Sequence, residues 1–233
     1  RGGLIPQPVP RRFNVVSPSS WNILGYRPEE MTGHHWSEFV IREDIAKTAP
    51  EVDAIRAGKV TREFENRFRH RSGKVVHLSW SSTWVAETGA SCSIARDVTA
   101  RNRQSALREG QRQVLQLIAE GASLQQALNA ICANVESIDP DSLCSILLVD
   151  ADGLRLRSAA APSLPDDYVA GVDGIEIGPC VGCCGTAAWR KQLVVVNDIA
   201  TDPLWDEFRP LALRHGLRSC WSMPIAGEHG AIL

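Results

Sequence analysis

The sequence predicts an α+β fold of two domains, each an antiparallel sheet flanked by helices, with a linker helix between the domains. Three observations lead to this prediction. Alternating apolar and polar residues, separated by turn residues, follow several short helical segments in the first hundred residues. A polar, helix-favouring segment comes next, and the rest of the chain repeats helices and strands at a larger scale. We place the domains at residues 1–101 and 114–233, and the linker helix at residues 102–113.

The first domain begins with extended chain. Three prolines within residues 1–10 favour an extended arm, because proline fixes φ and cannot donate to a central strand. Residues 12–18, RFNVVSP, predict a short strand in which Phe13 and Val15 lie on one face.

Helices follow this strand. SPSSWNILGY predicts a short helix capped by a serine, with Trp21 and Leu24 on one face. Residues 27–31 predict a second helix start, because a proline stands near the first helical position and acids follow in the first turn. Residues 43–57 predict a longer helix that ends at Gly58.

Three strands complete the first domain. Residues 60–70 alternate, turn at Ser72-Gly73 and return as residues 74–85. A third strand is predicted at residues 91–99. Together they form an antiparallel meander.

The linker segment at residues 101–113, RNRQSALREGQRQ, is polar and favours a helix. Leu107 and Val114 are seven residues apart, with Gln111 between them at the other core position of a weak heptad. This spacing predicts a parallel homodimer through residues 101–120. The alternative, a solvated linker helix without a partner, remains open.

The second domain opens with two helices. VLQLIAEGA, at residues 114–122, predicts the first helix. Ser123 caps the second helix, at residues 124–138, in which four apolar residues form one stripe. These residues are Leu124, Leu128, Ile131 and Val135.

One antiparallel sheet with helices on its faces is predicted for the remainder of the second domain. Strands at residues 142–150 and 154–160 enclose a turn at residues 151–153. After a loop, the further elements are a helix near residues 184–190, a strand at 193–198, a helix around 205–215 and a strand at 220–226.

Composition limits the class of protein. The 44% hydrophobic and 22% charged content is typical of soluble globular chains, and a net charge of −2 provides no basic field for nucleic acid or anionic membrane. No apolar run approaches the ~20 residues of a membrane span, and no secretory segment opens the chain. Seven irregularly spaced cysteines favour free thiols in a reducing compartment, so we expect a cytoplasmic protein.

The chain starts without Met and ends in the apolar run GAIL, residues 230–233. An apolar run of this kind is typical of the inside of a sheet. We therefore expect a fragment from which an effector domain is missing.

Three segments in order resemble a PAS domain: NVVSPSSWNILGYRPEEMTGHHWSEFV, REFENRFRHRSGKVVHLSWSSTWV and ARDVTARNRQ. They cover nearly all of residues 12–104 and contain G-Y-x-P-E-E-M-x-G, a hairpin ending near W-S-S and a closing D-[IV]-T-x-R motif. Asp97, Thr99 and Arg101 match the closing motif, and the resemblance implies that they couple the sheet to the outgoing helix. We include Trp80, in the W-S-S segment, among the candidates for lining a ligand pocket.

IGPCVGCCGTAAWRKQLVVVNDIATDPLW and LALRHGLRSCWSMPI resemble a GAF domain of bacterial sensors, from about residue 114 to the end of the chain. The last strands and helix of the usual GAF fold are left out, so we expect a truncated domain. Relatives of this kind join PAS and GAF domains to GGDEF/EAL cyclic-di-GMP enzymes or to histidine kinases. The resemblance therefore implies an effector of one of these kinds outside the chain.

GPCVGCCGTAAW, at residues 178–189, contains three clustered cysteines. In the GAF relatives the turn usually reads G-x-G-[ST]-C-G-T-A, so Cys184 matches the family cysteine, Cys183 replaces a small polar residue and Cys180 is additional. Cys220 stands at a position that is often cysteine. One interpretation is that Cys184 and Cys220 are small, polarisable fillers beside a pocket.

Two functional interpretations of these cysteines stay open. Cys183 and Cys184 precede a helix, whose N-terminus would lower a thiol pKa and favour a redox-sensing thiolate. A metal or iron–sulfur site would need a further ligand from elsewhere in the chain. The candidates for that ligand are Cys220, His215 and Cys144.

Aromatic and acidic residues complete the list of candidates. Trp189, Trp205 and Trp221 either cover a planar ligand or pack in the core. Asp202, before a proline, is typical of a turn that starts a helix rather than of a catalytic acid.

The sequence lacks the residues that several other kinds of sensor domain need. Bilin-binding GAF relatives need a thiol on the helix before the last motif, and WDEFRPLALRHGL has none. Haem-binding PAS relatives place a histidine on the long helix, whereas His34 and His35 lie in the preceding loop. The cyclic-nucleotide pattern and the common enzyme motifs are not visible. We assign no catalytic residue and no metal ligand, and the cofactor is unknown.

The sequence therefore predicts the sensory part of a signalling protein. A small-molecule ligand or a redox change in a pocket would select one arrangement of the linker helix and so control a downstream effector. The candidate pocket residues are Trp80, Cys183, Cys184, Trp205, Cys220 and Trp221. The alternatives are a cysteine-based redox or iron–sulfur sensor at the GAF loop, and a ligand-free scaffold for dimerisation.

Overall fold

The computed structural model describes residues 12–227 and 231–233, and the chain divides into two compact units, residues 1–105 and 106–233. Each unit combines antiparallel strands with flanking helices, which confirms the predicted α+β class. The predicted extended arm at residues 1–10 lies outside the described residues. Within the part of the chain that the structure describes, no helix is both long and apolar enough to span a membrane.

Three α-helices precede the sheet of the first unit. They are α1 (Ser19–Leu24), α2 (Pro28–Met31) and α3 (Arg42–Arg56), with a 3-10 helix at Trp36–Glu38. Helix α2 has the predicted proline at its start and acids in its first turn. Helix α3 is followed by Gly58 at φ 95°, as the sequence predicts.

Residues 12–18 do not form the predicted strand. Its pairing with residues 33–35 consists of one isolated bridge and two backbone hydrogen bonds, which is too short a ladder for a strand. Val15 is 88% exposed, whereas Phe13 and Val16 pack against the core. The apolar residues therefore follow the local path of a loop and not a two-residue period.

Helix α1 also differs from the prediction. Pro18 directly precedes it and makes no side-chain cap, but Ser17 Oγ accepts from Ser19 N at 3.3 Å, so a serine does bond the first helical N–H. Leu24 is buried where the chain turns at Gly25 (φ 72°), but Trp21, one turn earlier, is half exposed. The guanidinium carbon of Arg27 lies 5.7 Å from the Trp21 ring centroid, so this ring covers a surface charge instead of the core.

The sheet of the first unit has the predicted order. Strands β1 (Thr61–Arg69), β2 (Val75–Val85) and β3 (Ala90–Asp97) pair antiparallel as β1-β2-β3. Gly73 takes φ 91° in the turn between the first two strands. The core on this sheet consists of Leu24, Met31, Trp36, Phe39, Val40, Phe68, Val76 and Leu78.

The linker is longer than predicted. Helix α4 runs without a break from Thr99 to Ala119, where the sequence predicts two helices that meet at residue 114. No proline interrupts this range, and Gly110 keeps a helical conformation, so the hydrogen-bonded ladder continues. The third strand accordingly ends at Asp97, two residues earlier than predicted.

Helix α5 (Leu124–Ile138) begins with the predicted Ser123 cap, since Ser123 Oγ accepts from Gln126 N. The predicted apolar stripe is buried only in part: Leu128 and Val135 are half-buried, whereas Leu124 is 64% exposed and Ile131 is also exposed. The fully buried residues of α5 are Ala127 and Cys132. Small residues face strand β5 because they allow the helix and the sheet to approach closely.

Among the described residues of the second unit, the strands form two separate sheets instead of the single predicted sheet. The three-stranded sheet has the order β4 (Ile146–Val149), β5 (Arg155–Ala160), β6 (Ile175–Glu176). The two-stranded sheet pairs β7 (Val194–Val196) with β8 (Cys220–Ser222). The strands are short, and turns or loops occupy the rest of the segments predicted as strands.

Helices α6 (Asp166–Val172), α7 (Gly182–Arg190) and α8 (Arg209–Arg214), with a 3-10 helix at Pro203–Trp205, flank these sheets. Helix α6 was not predicted, although Pro165 and two acids in its first turn are a helix-start signal. The core of this unit consists of Tyr168, Cys183, Ala187, Val194, Val196, Ile199, Trp205 and Ala212.

Candidate functional site

A cavity of about 50 Å³ lies inside the second unit. By the space that a single ordered water needs, it has room for roughly four waters. Its lining comes from β4, β5, β6, α6, α7, the loops beside them and the last 3-10 helix. The lining residues are Ser145, Leu147, Ser158, Ala161, Leu164, Tyr168, Val169, Val172, Ile175, Gly182, Cys183, Cys184, Trp205 and Phe208. None of them is an Asp, Glu, Lys, Arg or His.

The start of α7 places the clustered cysteines in this wall. Gly182 takes φ 53°, a conformation that side chains disfavour. A Cβ at Gly185 would lie 2.6 Å from Glu176 O, so only glycine fits there. Thr186 is fully buried, and its Oγ1 accepts from Val181 N at 3.1 Å. This local chemistry explains why the G-C-C-G-T sequence forms a close-packed helix start.

Cys183 and Cys220 form a thiol pair. Cys183 Sγ donates to Cys220 O at 3.5 Å and lies within hydrogen-bonding reach of the Cys220 thiol. The remaining S–H stabilises the first thiolate that forms, which lowers the pKa of Cys183, and the same contact raises the pKa of Cys220. The lowered pKa of Cys183 therefore comes mainly from Cys220.

Cys184 behaves in the opposite way. Although part of the residue is exposed, its thiol lies deep among protein atoms, and this burial raises the pKa of Cys184. The prediction that the helix start lowers the pKa of both thiols is wrong for Cys184, because desolvation outweighs the helix dipole.

The candidate metal ligands do not converge. Cys180 is exposed, and its Sγ lies 3.6 Å from Pro203 O. Of the three possible further ligands, only Cys220 contacts Cys183; Cys144 lies beside Cys132 in α5, and His215 Nε2 lies 3.1 Å from Asp167. Within residues 12–227 and 231–233, no group of three or more His, Cys, Asp or Glu side chains is placed to hold a metal ion.

The three candidate tryptophans of the second unit occupy different environments. Trp205 is 4% exposed and lines the cavity, and its Nε1 is buried with no oxygen or nitrogen acceptor. The neighbour of this N–H is the Cys183 thiol, a weak sulfur acceptor, and the contact helps to lower the pKa of Cys183. Trp189 and Trp221 are exposed and do not line the cavity. In β8 the neighbouring Cys220 faces the core, so strand alternation turns Trp221 outward.

Asp202 has the predicted turn geometry. Its Oδ1 accepts from Leu204 N at 2.9 Å at the start of the 3-10 helix that carries Trp205. This carboxylate therefore positions Trp205 in the cavity wall.

Trp80 belongs to a polar network in the first unit. Its Nε1 donates to Asn66 Oδ1 at 2.8 Å, and Asn66 Nδ2 donates to Thr48 Oγ1 at 3.1 Å. Its ring centroid lies 5.5 Å from that of Phe68. An open groove of about 570 Å³ on this unit, near the positive φ of Glu63, does not include Trp80 in its lining.

The three closing-motif residues of the first unit meet at the start of α4. Asp97 Oδ1 accepts from Thr99 N at 2.8 Å, and Thr99 Oγ1 accepts from His77 N at 2.9 Å. Arg101 forms an ion pair with Glu65. These contacts attach the first turn of α4 to strands β1 and β2.

Several residues of the cavity wall were missed by sequence reasoning. Tyr168 is the largest of them, and burial raises the pKa of its hydroxyl. It lies on the unpredicted helix α6. Ser145 and Ser158 also line the cavity, but no local pattern distinguishes them from surface serines.

Comparison with known proteins identifies both units. The family model of the PAS fold matches residues 13–95, and that of the GAF domain matches residues 121–233. The methyl sulfide methyltransferase-associated sensor of Methanosarcina acetivorans is 31% identical over 218 residues, which cover 90% of this chain and 22% of that protein. The chain thus spans about a fifth of the length of this curated relative.

Solved structures with similarity to this chain include a GAF domain and a chromophore-binding domain. The GAF domain of a phosphoenolpyruvate-protein phosphotransferase from Coxiella burnetii is 18% identical, over 56% of this chain and 75% of that chain, with a TM-score of 0.43. The chromophore-binding domain of an unusual bacteriophytochrome from R. palustris is 10% identical, over 94% of this chain and 77% of that chain, with a TM-score of 0.40.

Proposed function

Because the chain is a PAS domain followed by a GAF domain, we propose that it is the sensory module of a signal-transduction protein. Occupancy of the GAF cavity is its signal, and helix α4 relays that signal to a downstream effector. The observation that carries this proposal is an uncharged, mostly apolar cavity whose wall includes Trp205 and Cys183, one member of the thiol pair. The relative that is named a sensor supports the same role.

The contacts of α4 support the relay. Within the PAS unit, Thr99 and Arg101 bond the first turn of this helix to the sheet. Within the GAF unit, Asn134 Nδ2 of α5 donates to Gly110 O at 3.1 Å, and Gly110 is buried. A change in either set of bonds would alter the preferred arrangement of α4. A coupling of ~1–3 kcal/mol is sufficient for such a link.

A second copy of the chain is the proposed partner of α4. Leu107, Leu115 and Ile118 are exposed along this helix, and Val114 is half buried. A parallel homodimer would cover these side chains and bring identical positions of the two helices together. The effector that we propose outside the chain is a diguanylate cyclase or phosphodiesterase, or a histidine kinase, as in PAS–GAF proteins of this kind. All seven cysteines are free in the structure, and for this reason we propose a cytoplasmic location.

Cysteine crosslinking tests the dimer. In a background in which the exposed Cys92 and Cys180 are replaced by serine, Leu107→Cys should crosslink to its copy under mild oxidation. Ser105→Cys is the matched control, because two residues correspond to about 200° around a helix and place it on the opposite face. Equal crosslinking at both positions, or none at Leu107→Cys, would contradict a parallel dimer through α4.

The relay is tested in the same background. Thr99→Val removes the acceptor of His77 N–H, and Arg101→Ala removes the ion pair with Glu65, so each should change the crosslinking rate of Leu107→Cys several-fold. Arg103→Ala, an exposed residue of the same helix, is the control. If the three variants give the same rate, the PAS sheet does not influence α4 and the chain is a dimerisation scaffold instead.

A second candidate function is redox sensing, which the Cys183–Cys220 thiol pair favours. A peroxide would oxidise the Cys183 thiolate to a sulfenic acid, and the Cys220 thiol would then displace water to form a disulfide. Mass-spectrometric mapping after peroxide treatment should find this disulfide, and Cys220→Ser should abolish it while Cys184→Ser should not. Oxidation confined to Cys92 and Cys180 would contradict this candidate.

A further inference from the structure

Two further thiols of the GAF unit, Cys132 and Cys144, lie side by side outside the lining of the cavity. We propose that they form a redox site of their own, in which a peroxide joins them in a disulfide between α5 and the segment that enters β4. This proposal requires neither a ligand in the cavity nor the Cys183–Cys220 pair.

Two sets of contacts bring these residues together. On the helix side, Glu136 lies one turn after Cys132 on the same face of α5, and its Oε1 accepts from Cys144 N at 2.8 Å. On the sheet side, Cys132 Sγ lies 4.0 Å from Ala160 O. Ala160 pairs with Ile146, which is two residues after Cys144. The backbone of Cys144 is therefore held against the face of α5 that carries the Cys132 thiol.

Burial gives the two thiols different roles. Cys132 is 0% exposed, whereas Cys144 is partly exposed, so a peroxide from solvent reaches Cys144 first. The Cys132 S–H stabilises the Cys144 thiolate, which lowers the pKa of Cys144, and the same contact raises the pKa of Cys132. Because the thiolate is the reactive form, Cys144 is the thiol that attacks the peroxide and Cys132 is the thiol that resolves the product.

The reaction balances with hydrogen peroxide as the oxidant. The Cys144 thiolate attacks one peroxide oxygen, so that an S–O bond forms, the O–O bond breaks and hydroxide leaves. The Cys132 sulfur then attacks the sulfenic sulfur, so that the S–S bond forms, the S–O bond breaks and the second oxygen leaves as hydroxide. The protons of the two thiols convert these hydroxides into two waters, and two electrons pass from the sulfurs to the peroxide.

A disulfide at this site would fix α5 to the segment that enters β4. Asn134, on the same helix, donates to Gly110 O of α4 at 3.1 Å. The oxidation state of the site would therefore act on the contact through which the GAF unit holds α4. This consequence, unlike the disulfide itself, rests on the relay proposed above.

Cleavage after Glu136 makes the disulfide detectable. Digestion at glutamate separates residues 121–136, which contain Cys132, from residues 137–176, which contain Cys144. The full chain is treated with hydrogen peroxide, the remaining thiols are blocked with iodoacetamide, and the digest is analysed by mass spectrometry without reduction. The two peptides should be joined, and dithiothreitol should separate them. This mapping uses the unsubstituted chain, so it does not depend on the folding of a variant.

Three variants assign the roles of the thiols. In Cys132→Ala the resolving thiol is absent, so dimedone, which labels sulfenic acids, should modify Cys144. In Cys144→Ser the fully buried Cys132 should stay unlabelled at the same peroxide concentration. Cys183→Ser is the control, because it removes the other thiol pair and should leave the yield of the Cys132–Cys144 disulfide unchanged.

Hydrogen exchange tests the consequence for α4. The amides of α4 around Gly110 should exchange at rates that differ several-fold between the oxidised and the reduced chain. Equal rates would mean that the disulfide does not act on α4.

Other results would overturn the proposal itself. It is wrong if peroxide that fully oxidises the exposed Cys92 leaves the two peptides unjoined, or if either thiol is joined mainly to another cysteine. It is also wrong if the disulfide is lost in Cys183→Ser. Dimedone labelling of Cys132 in Cys144→Ser would overturn the assigned roles. The Leu107→Cys crosslinking test can fail while the disulfide still forms, so failure of the relay is distinguishable from failure of this site.

Discussion

Trp80 in the PAS unit and Trp205 in the GAF unit are two interior tryptophans with opposite surroundings. The Trp80 indole donates to Asn66 Oδ1 at 2.8 Å, so the chain itself supplies its acceptor. The Trp205 indole has no oxygen acceptor: the Cys183 thiol is the neighbour of its N–H, and its ring lines a cavity. The two units therefore satisfy a buried indole to different degrees, one with a strong carbonyl acceptor and the other with a weak sulfur acceptor beside open space.

The packing around the two residues differs in the same way. Phe68 and Leu78 fill the PAS core beside Trp80, and Asp44 is buried with Arg67 and Lys47 as partners. The GAF interior holds small residues and thiols around its cavity. The two interiors should therefore respond differently to substitution and to pH.

The largest expected effect comes from Phe68→Ala. Phe68 is 2% exposed in a filled core, so the substitution should lower the free energy of unfolding by about 3–5 kcal/mol. Phe208→Ala, at a half-buried residue beside the GAF cavity, should cost only about 1–2 kcal/mol, because less apolar area is lost. Denaturant unfolding measures the change in the free energy of unfolding, and hydrogen exchange identifies which unit is destabilised. Equal losses would mean that both interiors are equally well filled.

The second-largest expected effect is the contribution of Asp44 to the pH dependence of the free energy of unfolding. Burial alone opposes ionisation of this carboxyl, but hydrogen bonds from Arg67 and Lys47 outweigh it and lower its pKa to about 2. Since the unfolded-state pKa is about 3.9, Asp44 should contribute about 2 kcal/mol above pH 4, lost as the pH falls towards 2.

The matched variants for this effect are Asp44→Asn and Glu43→Gln. The loss of stability between pH 4 and pH 2, measured by urea unfolding, should be smaller in Asp44→Asn. Glu43→Gln, at an exposed neighbouring carboxylate, is the control and should keep the loss. An unchanged pH profile in Asp44→Asn would show that the charge of Asp44 does not stabilise the PAS unit.

A direct test removes each indole N–H. Trp80→Phe leaves the Asn66 carbonyl unpaired and should lower the free energy of unfolding by about 1–2 kcal/mol more than Trp205→Phe does. Both variants lose the same ring volume, so the difference reports the hydrogen bond. Thermal unfolding measures it. If Trp205→Phe is as destabilising as Trp80→Phe, the Cys183 thiol is as strong an acceptor as the Asn66 carbonyl.

The smallest effect concerns helix α4 where it packs in the GAF unit. A Cβ at Gly110 would lie 2.9 Å from the side-chain amide of Asn134 and would displace it. The gain in helix propensity offsets part of this strain, so Gly110→Ala should cost about 1 kcal/mol. In an Asn134→Ala background the same substitution should cost less. A double-mutant cycle without coupling would contradict close packing of α4 on α5.

Local signals predicted most elements of the fold. The alternation and the turn at Gly73 predicted the PAS hairpin, and the Ser123 capping box predicted the start of α5. Both signals act within a few residues, so they survive in any tertiary context. The wrong predictions concern segments whose structure depends on residues far away in the sequence. Residues 12–18 pair with another segment at one isolated bridge only, and packing against β5 sets the buried face of α5.

The candidate site was predicted only in part. The clustered cysteines and Trp205 were recognised as pocket candidates, because their residue types and the G-C-C-G-T pattern are unusual. The sequence did not predict that the pKa values of Cys183 and Cys184 shift in opposite directions. The Cys183 pKa depends on a thiol 37 residues away, and the Cys184 pKa depends on burial. Tyr168 lies on a helix that was not predicted at all.

By itself the sequence determined two α+β domains, the helix between them and a cysteine-rich helix start, since periodicity, capping and turn chemistry act over a few residues. Only the folded chain sets which acceptor each buried donor meets. Asn66 reaches Trp80 across the PAS sheet, whereas Trp205 meets the weakly accepting thiol of Cys183. The physical reason is that satisfaction of a buried donor depends on atoms brought together from distant positions in the chain.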